Sequence, residues 1–200
     1  MKDQLKFIKT IVLLTTATFF INGWLEGYIG RNVTSFLTSI GAISMVGYGL
    51  YLAWDNWLWK QKWLSFLLCK LVGFYDYPVL QGKWNLNFES TYRDGTKGTG
   101  EATILQTYSS LFIEGNFGQN SNFDTFFAQL KQKENGKWFL VYAYRNRPKS
   151  SKLTNSPSGG MHEGFAYLDV VGKNKLEGYY SNDENRKTRG KLIYTKSKVK

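Results

Sequence analysis

The sequence predicts a membrane-anchored all-β protein: two N-terminal transmembrane helices followed by an eight-stranded antiparallel β-barrel. Three observations carry that prediction. Two long apolar runs near the start hold no charge, the periodicity changes to two residues from Leu80 onward, and the alternating segments are separated by short turn-like breaks with no helical period between them.

The first run, Thr10 to Leu25 (TIVLLTTATFFINGWL), has sixteen residues without a charge, and the second, Asn32 to Trp54, has twenty-three. A helix needs about 20 mostly apolar residues to cross a hydrocarbon core of roughly 30 Å. The second run suffices alone. The first suffices once Phe7 and Ile8 join it, with Lys9 and Glu26 snorkelling to the two interfaces. A short turn over Glu26 to Arg31, broken by Gly27 and Gly30, closes a helical hairpin. Trp24, Tyr28, Tyr51, Trp54, Trp57 and Trp59 fall near the ends, where amphipathic rings prefer to sit. Lys2, Lys6 and Lys9 precede the first helix and Lys60, Lys62 and Lys70 follow the second, while the turn holds only Arg31. The positive-inside rule therefore places both termini in the cytoplasm.

Two other readings of these runs are weaker. A cleaved signal peptide over residues 1–25 would need a small-x-small cleavage site, and none follows. Core helices of a soluble protein would show a polar face, where these offer mainly Ser, Thr and Gly. The stretch from Asp55 to Tyr75 is apolar, basic and rich in Trp, so it either continues the second helix or lies in the membrane interface. Tyr77-Pro78 ends it, because the residue before proline resists the α region. The organisation expected is a two-helix hairpin with an amphipathic connector over 1–76 and a barrel over 77–200.

In the second part Trp84, Leu86 and Phe88 alternate with Lys83, Asn85, Asn87 and Glu89, as in a half-buried strand. Similar segments follow at 99–108, 109–117, 123–133, 137–146, 162–171, 174–181 and 188–196. Asn135-Gly136 between two alternating runs is the firmest hairpin signal. A meander of eight strands forms a sandwich or closes on itself; closure removes exposed edges, and eight strands enclose packed side chains or one small ligand. The one long loop, Arg147 to Gly160, is basic and polar, either a solvated excursion or a lid over the barrel mouth.

The 200 residues include a single Cys, Cys69, and a single His, His162. A disulfide framework, a Cys-cluster metal site and a multi-histidine zinc site are thereby excluded, and most Ser-His and Cys-His hydrolase designs with them. The barrel segment holds no Gly-rich phosphate loop, no GxSxG, no HExxH and no Asp-rich metal pattern, so no cofactor, no metal and no enzymatic activity is expected. The whole chain carries a net charge of +11, and residues 77–200 hold 19 basic and 11 acidic side chains, a net +8. A partner bearing phosphate or another anion is implied. Tyr142 to Asn146 and Glu177 to Tyr180 set aromatic residues beside polar ones, and Lys187 to Gly190 adds Lys, Thr and Arg; such side chains stack on bases, fork to phosphate oxygens and read base edges.

Each candidate has a structural alternative. Arg145 lies in phase with Phe139, Val141 and Ala143, so it either contacts a ligand or pairs with a buried acid. Gln106, in phase with Ala102 and Ile104, reads a base or bonds backbone. Tyr179 and Tyr180 point to opposite faces, so only one lines a cavity. Gly164, Gly178 and Gly190 permit the strands to bend.

The order of these motifs resembles a known family. Two membrane helices and a Trp-rich connector precede Leu80-x-Gly82-x-Trp84. Then come Ile104-Leu105-Gln106, Tyr142-x-Tyr144-x-Asn146-x-Pro148, His162-x-Gly164, Leu176-x-Gly178-Tyr179-Tyr180 and Thr188-Arg189-Gly190. The chain is similar in this respect to the two-transmembrane, β-strand-rich effectors of CBASS, the bacterial anti-phage system built around cyclic-oligonucleotide synthases. The resemblance implies a lipocalin-like cytoplasmic barrel on the bacterial inner membrane that binds a cyclic dinucleotide from a cognate nucleotidyltransferase. Binding would drive homo-oligomerisation and disruption of the lipid bilayer, ending in abortive infection, with no DNA or RNA polymer as partner. It also implies pocket roles for Gln106, Tyr144, Arg145, Asn146, His162, Tyr180 and Arg189. The stretch Ser181 to Arg186 is longer than the family's pattern. The rival expectation is a membrane-tethered lipocalin-type carrier or scaffold for an apolar ligand or a protein, with an uncharged lumen and no ligand-dependent assembly.

Overall fold

The computed structural model describes residues 33–64, 77–91, 95–118, 121–148, 161–183 and 187–197. The first expected helix, the turn over Glu26 to Arg31 and most of the loop from Arg147 to Gly160 lie outside the described residues. The chain divides into two compact units, Met1–Asp76 and Tyr77–Lys200.

In the first unit, helix α1 spans Val33–Asn56, matching the second charge-free run. It stops where polar side chains return: Asn56 Nδ2 donates to the Leu52 carbonyl at 2.9 Å. A 3-10 turn over Leu58–Lys60 follows, so the helix does not continue through the connector. Trp59 is buried there, its indole donating to the Asp55 carbonyl at 2.9 Å. Side chains of α1 are described from Ser44 on, and Met45, Val46, Tyr48, Leu50 and Leu52 are exposed. Among the described residues, no helix is long and apolar enough to cross a membrane.

The second unit is a closed barrel of eight antiparallel strands in sequence order. They are β1 (Gly82–Ser90), β2 (Thr96–Gln106), β3 (Leu111–Phe117), β4 (Ser121–Gln132), β5 (Trp138–Pro148), β6 (His162–Val170), β7 (Lys175–Asn182) and β8 (Arg189–Lys196). Two hairpins use a glycine at positive φ, Gly136 at 80° as the last residue of its three-residue loop and Gly172 at 79° as the first residue of its own. They are closed by Lys133 N to Lys137 O at 2.8 Å and Val171 N to Lys175 O at 2.9 Å. Between β3 and β4 the ladder is short, from Glu114↔Asp124 to Phe117↔Ser121. A bulge between Thr125 and Phe127 bends β4 away, and the Thr125 hydroxyl accepts the Ile113 N–H at 2.9 Å in place of a ladder carbonyl.

Alternation puts Trp84, Leu86, Ile104, Ile113, Leu140, Tyr142, Leu168, Leu176, Leu192 and Tyr194 on the inner face, all fully buried. These side chains fill the middle of the barrel. The two phenols at its centre share one hydrogen bond, Tyr142 Oη to Tyr194 Oη at 2.7 Å. Burial pushes both phenols well above their ordinary value of 10.0. The end where the chain enters is stoppered by residues 77–81. Gln106 Oε1 accepts the Leu80 and Gln81 N–H groups at 2.6 and 3.2 Å, and its Nε2 donates to the Pro78 carbonyl at 3.0 Å. Leu80 is buried, and the Trp84 indole donates to its carbonyl at 2.8 Å. Every member of the core cluster lies between Tyr77 and Tyr194, so this unit buries its own apolar residues and closes its own ladders.

Two predictions follow from these contacts. Tyr142→Phe leaves the Tyr194 hydroxyl buried without its partner and lowers stability by about 1–3 kcal/mol in urea unfolding, while the double variant Tyr142→Phe/Tyr194→Phe loses less than the two single losses added. Because both phenols stay protonated when folded but ionise when unfolded, stability falls as pH rises above about 10. That fall is shallower in the double variant, and an unchanged alkaline slope there would remove the pair from the account. Gln106→Met leaves the Leu80 and Gln81 N–H groups and the Pro78 carbonyl without their side-chain partner and costs about 2 kcal/mol or more. A thermal melt unchanged from wild type would show that Gln106 does not fasten this end.

Candidate functional site

The opposite end of the barrel, the mouth, gathers the inward polar residues. Register brings them together: Asn146 on β5 faces His162 on β6, Tyr144 faces Gly164, Gly164 faces Asn182 on β7, and Tyr180 faces Gly190 on β8. Asn146, His162 and Thr188 are each buried, as are Tyr144 and Tyr180. Gly164 is where a Cβ would strike the Tyr144 ring and the Asn182 side chain, so its lack of a side chain is what admits the tyrosine.

Two polar groupings result. The Tyr144 hydroxyl donates to Asn182 Oδ1 at 2.8 Å, and Asn182 Nδ2 donates to Thr188 Oγ1 at 2.6 Å. Asn146 Nδ2 lies 3.3 Å from His162 Nε2, which accepts from it when that nitrogen carries no hydrogen. Asn146 Oδ1 is buried and has no partner among the described residues. A buried amide oxygen left unbonded costs free energy, and such a group calls for a ligand or a water.

Beneath these groups lies an aromatic cluster. Phe117 and Phe123 stack with centroids 4.7 Å apart at 28°. Phe117 also meets Tyr144 at 5.8 Å, Tyr180 at 6.4 Å and Phe88 at 5.5 Å, and Phe123 meets Tyr144 edge-on at 5.8 Å. The mouth is therefore aromatic with neutral hydrogen-bonding groups above. Planar heterocycles suit such a site, stacking on the rings and bonding through their edges.

Of the seven residues singled out in the sequence, Tyr144, Asn146, His162 and Tyr180 converge at the mouth. Gln106 does not; it sits at the closed end with both ends of its amide engaged by backbone. Arg145 stands on the outer face, its Nη2 and Nε 2.7 and 3.1 Å from Glu163 Oε1. Arg189 is exposed on the outer face of β8, its neighbour Gly190 taking the inward position. Both phases of β5 are apolar up to Tyr144, so alternation alone could not say which phase faces in. The inward set is Leu140, Tyr142, Tyr144 and Asn146, which leaves Phe139, Val141, Ala143 and Arg145 outside. Asn182, Thr188, Phe117 and Phe123 were missed because each borders a turn. The phase of Asn182 with Tyr180 was the available signal.

A separate open groove of about 970 Å³ runs over the outer faces of β1 to β5. Its lining includes Glu101, Glu114 and Asp124 against Lys83 and Arg147, a poor balance for an anion. The uncharged lining expected of an apolar carrier is present at the mouth among the described residues. The centre, however, is occupied by fully buried side chains, among them Trp84, Tyr142 and Tyr194.

Comparison with known proteins agrees with the architecture. The family model described as "Cap15, cyclic dinucleotide receptor domain" matches residues 75–196, the whole of the barrel. The chain belongs to the Cap15 family. It is 30% identical over 195 residues to the CD-NTase-associated protein 15 of Yersinia aleksiciae, covering 96% of this chain and 85% of that one. The Escherichia albertii protein of the same name is 24% identical over 164 residues, 82% of this chain and 76% of its own. The resemblance to CBASS effectors read from the motif order is thus borne out, and the barrel of eight antiparallel strands with it. The Cap15 match begins two residues before Tyr77 and ends at Lys196, the last residue of β8, so the mouth lies wholly inside it.

Proposed function

We propose that this protein is a cyclic-dinucleotide-gated membrane effector of CBASS, in which the barrel mouth binds the messenger and the N-terminal segment acts on the bacterial inner membrane. The observation that carries the reading is the buried, unpartnered amide oxygen of Asn146 above an aromatic cluster, within the residues that match a cyclic dinucleotide receptor domain. The base stacks on Tyr180 and Phe117, the Asn146 carbonyl accepts from a base N–H, and His162 and the Asn182–Thr188 pair offer further polar contacts. The protein works by binding, without turnover. Binding drives homo-oligomerisation, because two helices are too few to enclose a pore and damage requires several copies. The charge-free run from Asn32 to Trp54 and the exposed apolar side chains of α1 support a bilayer as their surroundings. The basic flanks favour cytoplasmic termini.

Calorimetry of the full chain in detergent against a panel of cyclic dinucleotides tests the site. One ligand binds per barrel, and Asn146→Leu weakens it about 10- to 100-fold, the equivalent of about 1–3 kcal/mol for one buried hydrogen bond. Arg145→Ala, on the outer face, changes affinity less than threefold. The opposite ranking would move the site off the mouth, and no heat with any member of the panel would end the receptor reading. For the membrane half, sedimentation of the full chain in detergent shifts to larger species on adding the ligand that binds. A coefficient that stays put at saturation contradicts assembly.

A further inference from the structure

The closed end of the barrel presents a surface that ligand binding at the mouth does not use. Three turns lie there, over Thr107–Ser110, Lys133–Lys137 and Val171–Lys175, together with the entering segment Pro78–Leu80 and the end of β8. Seven lysines ring this end: Lys83, Lys131, Lys133, Lys137, Lys173, Lys175 and Lys196. Lys133 and Lys175 are tied to Asp169 and Glu177, each at 2.6 Å, and Lys196 lies over the Trp84 ring. The other four are exposed, and none pairs with a carboxylate among the described residues. Between them Val79, Leu105 and Val171 are exposed apolar side chains.

The mouth end is built differently. There Lys97, Arg145 and Arg147 are engaged with Glu89, Glu163 and Asp124 respectively, while Lys187 and Arg189 are exposed with no carboxylate partner among the described residues. The rim on which unpaired lysines are interleaved with the exposed Val79, Leu105 and Val171 is the one through which the chain enters from its N-terminal segment. Exposed lysines interleaved with a few apolar tips form the surface that an anionic membrane leaflet attracts and slightly admits.

We propose that the closed end is a docking face for an anionic lipid surface, which sets the barrel upright with its mouth turned away from the bilayer. For its place in the cell this rests on the reading that the N-terminal segment is held in a membrane. A tethered barrel sees lipid at high effective concentration, so weak intrinsic affinity suffices to orient it.

The test uses residues 77–200 alone, which close their own ladders and core, and vesicles of phosphatidylglycerol and phosphatidylcholine at 1:1 against phosphatidylcholine only. Expected is co-sedimentation with the mixed vesicles, little with the neutral ones, and loss in 0.5 M salt, where charges are screened beyond a few ångströms. The variant Lys83→Gln/Lys131→Gln/Lys137→Gln/Lys173→Gln lowers partitioning by about 600-fold, at about fivefold per cation. The variant Lys97→Gln/Arg147→Gln/Lys187→Gln/Lys191→Gln removes the same net charge elsewhere and keeps binding within a few-fold. Near-UV circular dichroism from the buried Trp84 reports that each variant is folded. Equal losses in the two variants would mean that only net charge matters and overturn the face, as would no preference for anionic vesicles. Neither outcome touches cyclic dinucleotide binding by the full chain, so the two proposals fail separately.

Discussion

An eight-stranded barrel has room inside for packed side chains or one small ligand, and in this molecule side chains take the centre, a limit around which the rest is arranged. With Trp84, Tyr142 and Tyr194 meeting across the middle, there is no continuous lumen. Any inward polar atom in that region needs a partner from another strand, because water cannot reach it. The Tyr142–Tyr194 hydrogen bond is the solution at the centre and the Gln106 clamp is the solution at the closed end. Among the described residues of the barrel, the buried side-chain atoms left unmatched are Asn146 Oδ1 and Asp183 Oδ1, both at the mouth end. The packing that stabilises the fold therefore also confines where a ligand can be received.

Much of the architecture was legible in the residues. Period-two alternation located all eight strands, because one buried face forces every second residue to be apolar. Asn135-Gly136 and Gly172 marked their hairpins through the positive φ that such loops need. The β4 bulge was not legible, since Thr125-Phe126-Phe127 reads as uninterrupted strand and the extra residue appears only when Tyr144 and Ala143 are seen as neighbours across the ladder. The candidate site was half legible. On β5 two apolar phases compete, and the charged Arg145 drew more attention than Asn146, whose burial depends on strand register. Gln106 was ambiguous for a related reason: a buried amide looks the same in sequence whether it meets a base or a backbone turn.

The same register explains why the two arginines do not enter the mouth. A guanidinium on the inner face would need a carboxylate beside it in the unliganded state, in a volume already held by Phe117, Phe123 and Tyr144. On the outer face Arg145 has Glu163 across the ladder at no comparable desolvation cost. Neutral amides, hydroxyls and an imidazole can instead line the mouth and satisfy one another in part until a ligand arrives.

A neutral site for a doubly anionic ligand divides the work between two kinds of force. The net +8 of residues 77–200 acts over the range of the ionic atmosphere and raises the local concentration of an anion around the whole barrel. That term does not distinguish one phosphorylated molecule from another. On the proposed reading, discrimination has to come from contacts with fixed geometry, namely the ring faces of Tyr180 and Phe117 and the open acceptor on Asn146. A base lacking a hydrogen to give that acceptor would leave it buried and unbonded, a penalty as large as the hydrogen bond itself. On the reading proposed above, attraction is thus supplied by charges that never touch the ligand, while recognition rests on groups that carry no charge at all.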